Sequence, residues 1–189
     1  IVIIDSIGEK LSGSIQATYS EVDPSLVTEE DILGGVTAGG EYSGLGAVAL
    51  VYPELGLIPN IIAAPGWSDK PAVYNAMIEA GTRVNGHWDA FVAADIPIRS
   101  DTEPVGTAVV GEARLGDGIS VDTISAAIEW AGENGYNSER SKVCWPQAVG
   151  TDGNIYHLST LTVWKMQAVD TSHDGIPMET PSNKAIPIT

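Results

Sequence analysis

The sequence predicts an α/β domain, with a central, mostly parallel or mixed sheet flanked by helices and a small β appendage at the N-terminus. Residues 61–64 form an uninterrupted apolar run that meets Pro65 and Gly66, which cannot continue a strand. A strand without polar alternation is covered on both faces, as is typical of parallel sheets. A helix signal follows, and a second apolar run at residues 88–96 completes a βαβ unit.

The N-terminal residues have the pattern of short strands. Residues 1–4 are apolar, and residues 14–19 alternate apolar with polar side chains. Because two strands cannot bury a core alone, we assign residues 1–24 to the end of a β module. The chain starts inside an apolar segment without an initiator methionine or a basic flank, so we expect a middle piece of a longer protein.

The α/β domain is assigned to residues 25–189, and its helix signals begin at Thr28. This residue and the acidic side chains after it predict a capped helix that ends at Gly34. Ser43 and Ser68 are expected to cap the next two helices. Their inward faces are predicted from three- and four-residue spacing: Leu45, Val48, Ala49, Tyr52 and Leu55 in one, and Val73, Tyr74, Met77, Ile78, Gly81 and Val84 in the other.

A further helix is predicted after a break in the pattern. Residues 99–118 are rich in loop-forming residues, and we predict an insertion there. Ser120 is expected to cap the helix that follows, which Gly132 and Gly135 end. Its predicted buried face consists of Val121, Ile124, Ile128 and Ala131.

The C-terminal part of the domain is predicted to hold one more strand and one more helix. Residues 141–149 predict the strand, and Trp145-Pro146 should force it out of the ladder. A turn at 151–154 leads to an amphipathic helix that ends near Asp170. Residues 174–189 contain too many prolines for anything but extended loop or edge strand. The inward face of the helix is predicted to carry Leu158, Leu161, Trp164, Ala168 and Val169.

Composition excludes several classes of protein. The 189 residues include 25 acidic and 9 basic ones, and the formal net charge of −16 repels phosphate backbones, so nucleic-acid binding is not expected. No apolar run approaches the ~20 residues of a membrane-spanning helix, and no membrane partner is expected. Cys144 is the only cysteine, in an apolar context that predicts a buried, unreactive thiol.

The best place for chemistry is the crevice at the carboxyl ends of the strands. Ser68, Asp95 and a histidine could form a nucleophile triad there, but Ser68 lacks the second glycine of a G-x-S-x-G elbow and stands where a helix cap belongs. His87, His157 and His173 do not have metal-ligand spacing. The glycine-rich stretches lack a third glycine or a phosphate-loop lysine. We therefore predict no catalytic, cofactor-binding or metal site.

Several spaced segments resemble the tail sheath subunits of contractile bacteriophages. They are residues 22–28 and 32–35, residues 57–66 (Leu-Ile-Pro-Asn-Ile-Ile-Ala-Ala-Pro-Gly), residues 156–160 (Tyr-His-Leu-Ser-Thr) and residues 181–186 (Pro-Ser-Asn-Lys-Ala-Ile). The resemblance spans roughly residues 20–189. It depends on the order and spacing of all these segments, because Ala63-Ala64-Pro65-Gly66 alone is a weak signal.

The resemblance implies a structural protein of a phage or prophage virion, assembled in the bacterial host cytoplasm, with no enzymatic activity and no cofactor. Sheath subunits stack as rings into a helical tube around the tail tube protein and shorten during injection, and their terminal arms add strands to neighbouring subunits. This sequence lacks both ends of such a subunit. We therefore expect the isolated 189-residue chain to be monomeric or weakly associating.

Two other function classes remain open on the sequence. One is an α/β hydrolase-like enzyme with a site near Ser68 and Asp95. The other is a carbohydrate- or receptor-binding module that uses tryptophans as stacking platforms, although core or interface packing is favoured for them. For a sheath subunit, the scarce basic residues are interface candidates, because acidic surfaces repel one another. The tryptophans are Trp67, Trp88 and Trp145; the basic residues are Arg83, Arg99, Arg114, Arg140, Lys142 and Lys165.

Overall fold

The computed structural model describes residues 23–97, 121, 123–176, 184–186 and 188. These parts of the chain contain helices α1 (Glu29–Leu33), α2 (Val51–Leu55), α3 (Pro71–Ala80), α4 (Ile124–Glu133) and α5 (Leu158–Thr171), and 3-10 helices at Pro24–Leu26 and Gly44–Leu50. The strands are β1 (Gly35–Val36), β2 (Tyr42–Ser43), β3 (Ile61–Ala63), β4 (Phe91–Asp95), β5 (Ser141–Cys144), β6 (Ala148–Val149) and β7 (Ile155–Tyr156).

A three-stranded parallel sheet forms the centre of the domain, in the order β3-β4-β5. Ile62 pairs with Val92, and Ala94 pairs with Val143. Helix α3 connects β3 to β4, which confirms the predicted βαβ unit. The predicted class, a mostly parallel sheet flanked by helices, is confirmed.

Helices cover both faces of the central sheet. Val92 and Ala94 belong to a buried cluster that also contains side chains of α3 and α4. Asp95 follows Ala94 in β4, and its carboxylate accepts a hydrogen bond from the backbone N–H of Ser159 in α5. Because successive side chains of a strand point to opposite faces, α3 and α4 lie on one side of the sheet and α5 on the other.

The apolar run at residues 61–64 forms an edge strand. In β3 only Ile62 is buried, and Ala63 is exposed, so the expectation that both faces are covered is wrong for this strand. The covered strand is β4, in which Val92, Ala93, Ala94 and Asp95 are all buried. Both runs carry the same apolar pattern, and position within the sheet decides which one is enclosed.

The predicted cap of α1 is present. The Thr28 side chain accepts a hydrogen bond from the backbone N–H of Asp31, and the Asp31 carboxylate accepts one from the backbone N–H of Thr28 at 2.8 Å. This reciprocal pair satisfies two donors at the helix start. Gly34 ends the helix as predicted, and the following β1–β2 hairpin, which the sequence analysis missed, pairs Gly35 with Ser43.

We expect Gly34→Ala to destabilise the protein by about 3 kcal/mol. Gly34 has φ +58°, and a Cβ there would overlap the backbone carbonyl of Ser43. Gly56 also has a positive φ, +67°, but a Cβ there meets no atom within 4 Å. Gly56→Ala is therefore the matched control, expected to cost about 1 kcal/mol. Urea unfolding of the two variants measures the difference, and equal costs would contradict the steric argument.

Ser43 does not cap a helix through its side chain. The segment that follows it begins as the 3-10 helix Gly44–Leu50 and becomes α-helical only at Val51. Gly44 has φ +51° and approaches the carbonyl oxygens of Asp31 and Ile32 so closely that no Cβ fits. Close packing of this turn against the end of α1 thus shapes its start, and the apolar spacing alone could not reveal it.

The buried face of α4 differs from the predicted one. Ala127 and Trp130 are buried, whereas Ile124 and Ile128 are each 69% exposed. Thr123 is the cap, accepting a hydrogen bond from the N–H of Ala126 at 3.2 Å. The prediction is right for Val121, which is buried, and for Ala131, which packs against the core, but it missed Trp130, whose large ring lies in the core cluster.

The predicted strand at residues 141–149 is divided into β5 and β6. Trp145-Pro146, joined by a cis peptide bond, interrupts the ladder as expected. The turn at 151–154 connects β6 to β7 in an antiparallel hairpin. Helix α5 then begins at Leu158; Leu161 and Val169 face inward as predicted, but Trp164 is 49% exposed.

Several sequence-based predictions lie outside the described residues, namely the strands at 1–4 and 14–19, the Ser120 cap and the insertion at 99–118. The domain boundaries remain predictions. Within the described parts of the chain, the helices are too short or too polar to cross a membrane.

Candidate functional site

The crevice at the carboxyl ends of the parallel strands is organised by Asp95. This residue ends β4, the central strand, and is only 5% exposed. Three neighbours surround it: Ser68 from the exit turn of β3, Cys144 from the end of β5 and Ser159 from the start of α5. A carboxylate in such a buried position needs polar partners.

The Asp95 carboxylate caps α5 from the sheet. Its Oδ1 accepts a hydrogen bond from the backbone N–H of Ser159 at 2.9 Å, and its Oδ2 accepts one from the Ser159 hydroxyl at 2.5 Å. Ser159 lies in the first turn of α5, where backbone N–H groups lack helical partners and the helix dipole favours a negative charge. The two bonds therefore join the helix to the central strand.

His157 lies beside the same carboxylate. Its Nδ1 is 3.6 Å from Oδ2 of Asp95, and its Nε2 is 3.5 Å from the side-chain nitrogen of Gln147. A Cβ at Gly66 would lie 3.5 Å from that Nε2, so the exit turn of β3 passes close to the imidazole. The side chain of His157 is 28% exposed. It forms the solvent-facing side of the Asp95 cluster.

Burial dominates the electrostatics of the crevice. It raises the pKa of Asp95 above the usual value of 3.8, against the hydrogen bonds from Ser159, which lower it. Burial also raises the pKa of Asp69, while the nearby charge of Lys70 opposes the shift. The Oδ1 atom of Asp69 is buried and has no hydrogen-bond partner within the described structure. Two carboxyl groups are thus held where ionisation is costly.

Ser68 has a structural role different from the predicted helix cap. It is fully buried, and its hydroxyl accepts a hydrogen bond from the backbone N–H of Asp95 at 2.9 Å. Its carbonyl accepts one from the Tyr136 hydroxyl, also at 2.9 Å. Helix α3 starts at Pro71 with Lys70 at the cap position, so the capping prediction is wrong. Ser68 instead ties the exit turn of β3 to the end of β4.

The structure brings Ser68, Asp95 and His157 into one neighbourhood without a nucleophile relay. The Ser68 hydroxyl bonds to the backbone of Asp95, while Nε2 of His157, the atom that would accept a serine proton, faces Gln147. The serine that bonds directly to the Asp95 carboxylate is Ser159. In this arrangement the three side chains connect structural elements.

The remaining sequence candidates lie in several parts of the fold, with Cys144 at the end of β5 beside Asp95. Cys144 is buried as predicted, with its sulfur 3.7 Å from the Thr162 hydroxyl, and burial raises the pKa of the thiol. Trp67 and Trp145 pack against the core, and the Trp88 ring is tilted against Tyr52, with ring centroids 4.8 Å apart. No group of three metal-ligating side chains occurs in the described part of the chain.

Arg140 is engaged within the domain. Its guanidinium forms an ion pair with Asp89 at 2.8 Å and donates hydrogen bonds to the carbonyl of Gly81 and the hydroxyl of Thr82. Among the basic interface candidates, Lys142 is exposed and Lys165 is partly so. Arg99 and Arg114 lie outside the described residues.

Sequence reasoning missed the Asp95–Ser159 connection. Asp95 is predicted at the end of its strand and Ser159 in the helix after the 151–154 turn, but no sequence signal links the two across the intervening chain. The signal that was available is local: Asp95 is an acidic residue at the end of a buried apolar run, where a carboxylate needs nearby donors. The first turn of a neighbouring helix is the commonest source of such donors.

Comparison with known proteins identifies no family for this chain. No protein-family model matches the chain, and no curated protein is detectably similar to it in sequence.

Proposed function

We propose that this chain is part of a structural subunit of a contractile phage tail sheath, which self-assembles into a helical tube around a tail tube. The observation that supports the proposal is the hydrogen bonding of the polar side chains in the strand-end crevice. In an open α/β sheet this crevice is the usual ligand site. Here the side chains of Asp95, Ser68 and Ser159 form hydrogen bonds with one another and with backbone atoms.

The segments that resemble sheath subunits support the proposal by their position. Residues 57–66 supply β3 and its exit turn, and residues 156–160 supply the start of α5. They approach each other where Gly66 passes His157, and Ser159 from the second segment bonds to Asp95. The resembling residues thus form one structural joint of the domain, as expected for a protein whose function lies in its rigidity and its outer surfaces.

The outer surface also favours a protein that works through interfaces. Large apolar side chains are exposed on several elements; they include Leu26, Val36, Leu55, Leu57, Ile124, Ile128, Trp164 and Ile176. Association that covers such side chains is favourable at about 25 cal/mol per Å² of apolar area. A subunit surrounded by copies of itself would bury several of these surfaces at once.

Negative-stain electron microscopy of the full-length protein tests the proposal. We expect regular tubes or polysheath, whereas the 189-residue chain alone is expected to stay monomeric or weakly associated in sedimentation velocity. The comparison between the two proteins separates ordered assembly from non-specific aggregation, which would affect both.

A full-length protein that remains monomeric would contradict the sheath proposal. Hydrolysis of small activated esters, lost on His157→Ala and on Asp95→Asn, would instead support the hydrolase-like alternative, since both residues border the crevice. Ser125→Ala, on the exposed side of α4, is the control for the ester assay.

A further inference from the structure

Helix α4 carries an apolar surface that faces solvent. Ile124 and Ile128 are one helical turn apart, so they lie on the same side of the helix, and each is 69% exposed. The other side of α4 is anchored in the core by Ala127 and Trp130. We call the exposed side, with the two isoleucines and the exposed Glu129 that follows Ile128, the α4 surface.

Helix α5 carries a second exposed apolar group. Trp164 is 49% exposed, and the ammonium of Lys165 lies 5.7 Å from the centre of its ring. Lys142 is exposed on β5, on the side of the sheet that faces α5, because it pairs with Ala93. We call Trp164, Lys165 and Lys142 the α5 surface.

The two surfaces lie on opposite faces of the domain. Helix α4 contributes Ala127 and Trp130 to the cluster on one face of the sheet, while α5 bonds to Asp95 on the other. The two surfaces therefore cannot meet within one molecule. A contact between them joins two copies head to tail, and a contact of this kind can repeat without closing.

The charges of the two surfaces are complementary. Glu129 follows Ile128 on the exposed side of α4, and it forms no ion pair within the described structure. The α5 surface presents two of the scarce lysines, while Asp170 is confined to the C-terminal end of the helix. For a chain with net charge −16, most approaches between copies are repulsive. An approach that brings the lysines to Glu129 is favoured over those that bring acidic side chains together.

From this placement we propose that the α4 surface of one copy docks on the α5 surface of the next copy. The inference rests on the proposed sheath function and identifies one of its subunit contacts. Trp164 covers Ile124 and Ile128, while Lys165 and Lys142 face Glu129 at the edge of the contact.

Oxidative cross-linking of the full-length protein tests this contact. Ser125 and Gln167 are exposed positions next to the two surfaces, and replacing them leaves the apolar side chains in place. We expect Ser125→Cys/Gln167→Cys to give a ladder of cross-linked oligomers and each single variant to give none. The wild type, in which the buried Cys144 is the only cysteine of these 189 residues, is the control. Dimers from a single variant would indicate a symmetric contact and overturn the proposal.

Charge reversal supplies a second test in the same double-cysteine protein. Glu129→Lys or Lys165→Glu alone is expected to lower the rate of cross-linking about tenfold, and the two together should restore it. Both positions are on the surface, and circular dichroism checks that each variant is folded. A loss without recovery in the combined variant would argue against this pairing of charges.

The outcomes separate this contact from the sheath proposal. Tubes without a ladder would overturn the contact and leave the sheath function standing. A ladder without tubes would support the contact and contradict the sheath. A full-length protein that gives neither tubes nor a cross-linked ladder would overturn both the contact and the sheath proposal.

Discussion

Asp95→Ala is expected to lower the free energy of unfolding by about 3 kcal/mol. The substitution removes the acceptor of two hydrogen bonds from Ser159 and leaves its N–H and hydroxyl buried without partners. It also removes a negative charge from the first turn of α5, where the helix dipole favours one. Relief from burying a carboxylate opposes these losses but does not replace the missing acceptors.

Asp95→Asn is the matched variant, with an expected cost of about 1 kcal/mol at neutral pH. Its amide oxygen can accept from the Ser159 N–H, and its NH₂ can donate to the Ser159 hydroxyl, so both groups keep partners. Urea unfolding measures both variants, and hydrogen exchange of α5 amides localises the effect. Equal stability of Asp95→Ala and Asp95→Asn would contradict a capping role for this carboxylate.

The difference in stability between the wild type and Asp95→Asn is expected to depend on pH. The pKa of Asp95 is raised by burial above 3.8, so the folded state holds its proton more tightly than the unfolded state does. The stabilising contribution of that proton is complete below the unfolded pKa and is lost as pH rises through the folded pKa. The stability of the wild type relative to Asp95→Asn should therefore fall as pH rises from about 4. Asp95→Asn retains Asp69, so the burial that raises the pKa of Asp69 acts in both proteins, and only the smaller contribution of the Asp95 charge to that shift is removed.

The sequence was sufficient for the βαβ unit because its signals are local. The apolar runs of β3 and β4, the turn at Gly66 and the spacing of the apolar residues in α3 are each contained within about ten residues. The same patterns could not establish that β3 lies at the edge and β4 in the centre. Strand order depends on pairing with β5, which lies far along the chain.

The candidate site was less predictable because its bonds are long-range. Ser68 is adjacent to the start of α3, and its local context favours a helix cap, yet its hydroxyl bonds to the end of β4. The Asp95–Ser159 bonds span 64 residues. In α4, apolar spacing identified a helix but not the side that packs inward, since Ile124 and Trp130 are both apolar. Tertiary packing decides these cases.

Tyr74 on α3 combines a correct local prediction with long-range partners that no local pattern reveals. Its position on the inward face was expected, and it is 1% exposed. Its ring stacks on Tyr136 with centroids 4.0 Å apart, and its hydroxyl lies 2.8 Å from the Ser141 hydroxyl and accepts from the backbone N–H of Ser138. One side chain thus links α3 to the segment that leads into β5.

Tyr74→Ala is expected to cost about 4 kcal/mol, since it removes a buried ring from the centre of the core and leaves a cavity beside Tyr136. Tyr74→Phe keeps the ring and removes only the hydroxyl. It should cost about 1 kcal/mol, because the part-buried Ser138 N–H loses its acceptor while the Ser141 hydroxyl keeps its bond to the Ser138 carbonyl at 2.9 Å. Guanidinium unfolding followed by tryptophan fluorescence measures both. If the two variants differed by less than about 1 kcal/mol, ring packing would not be the main contribution of Tyr74.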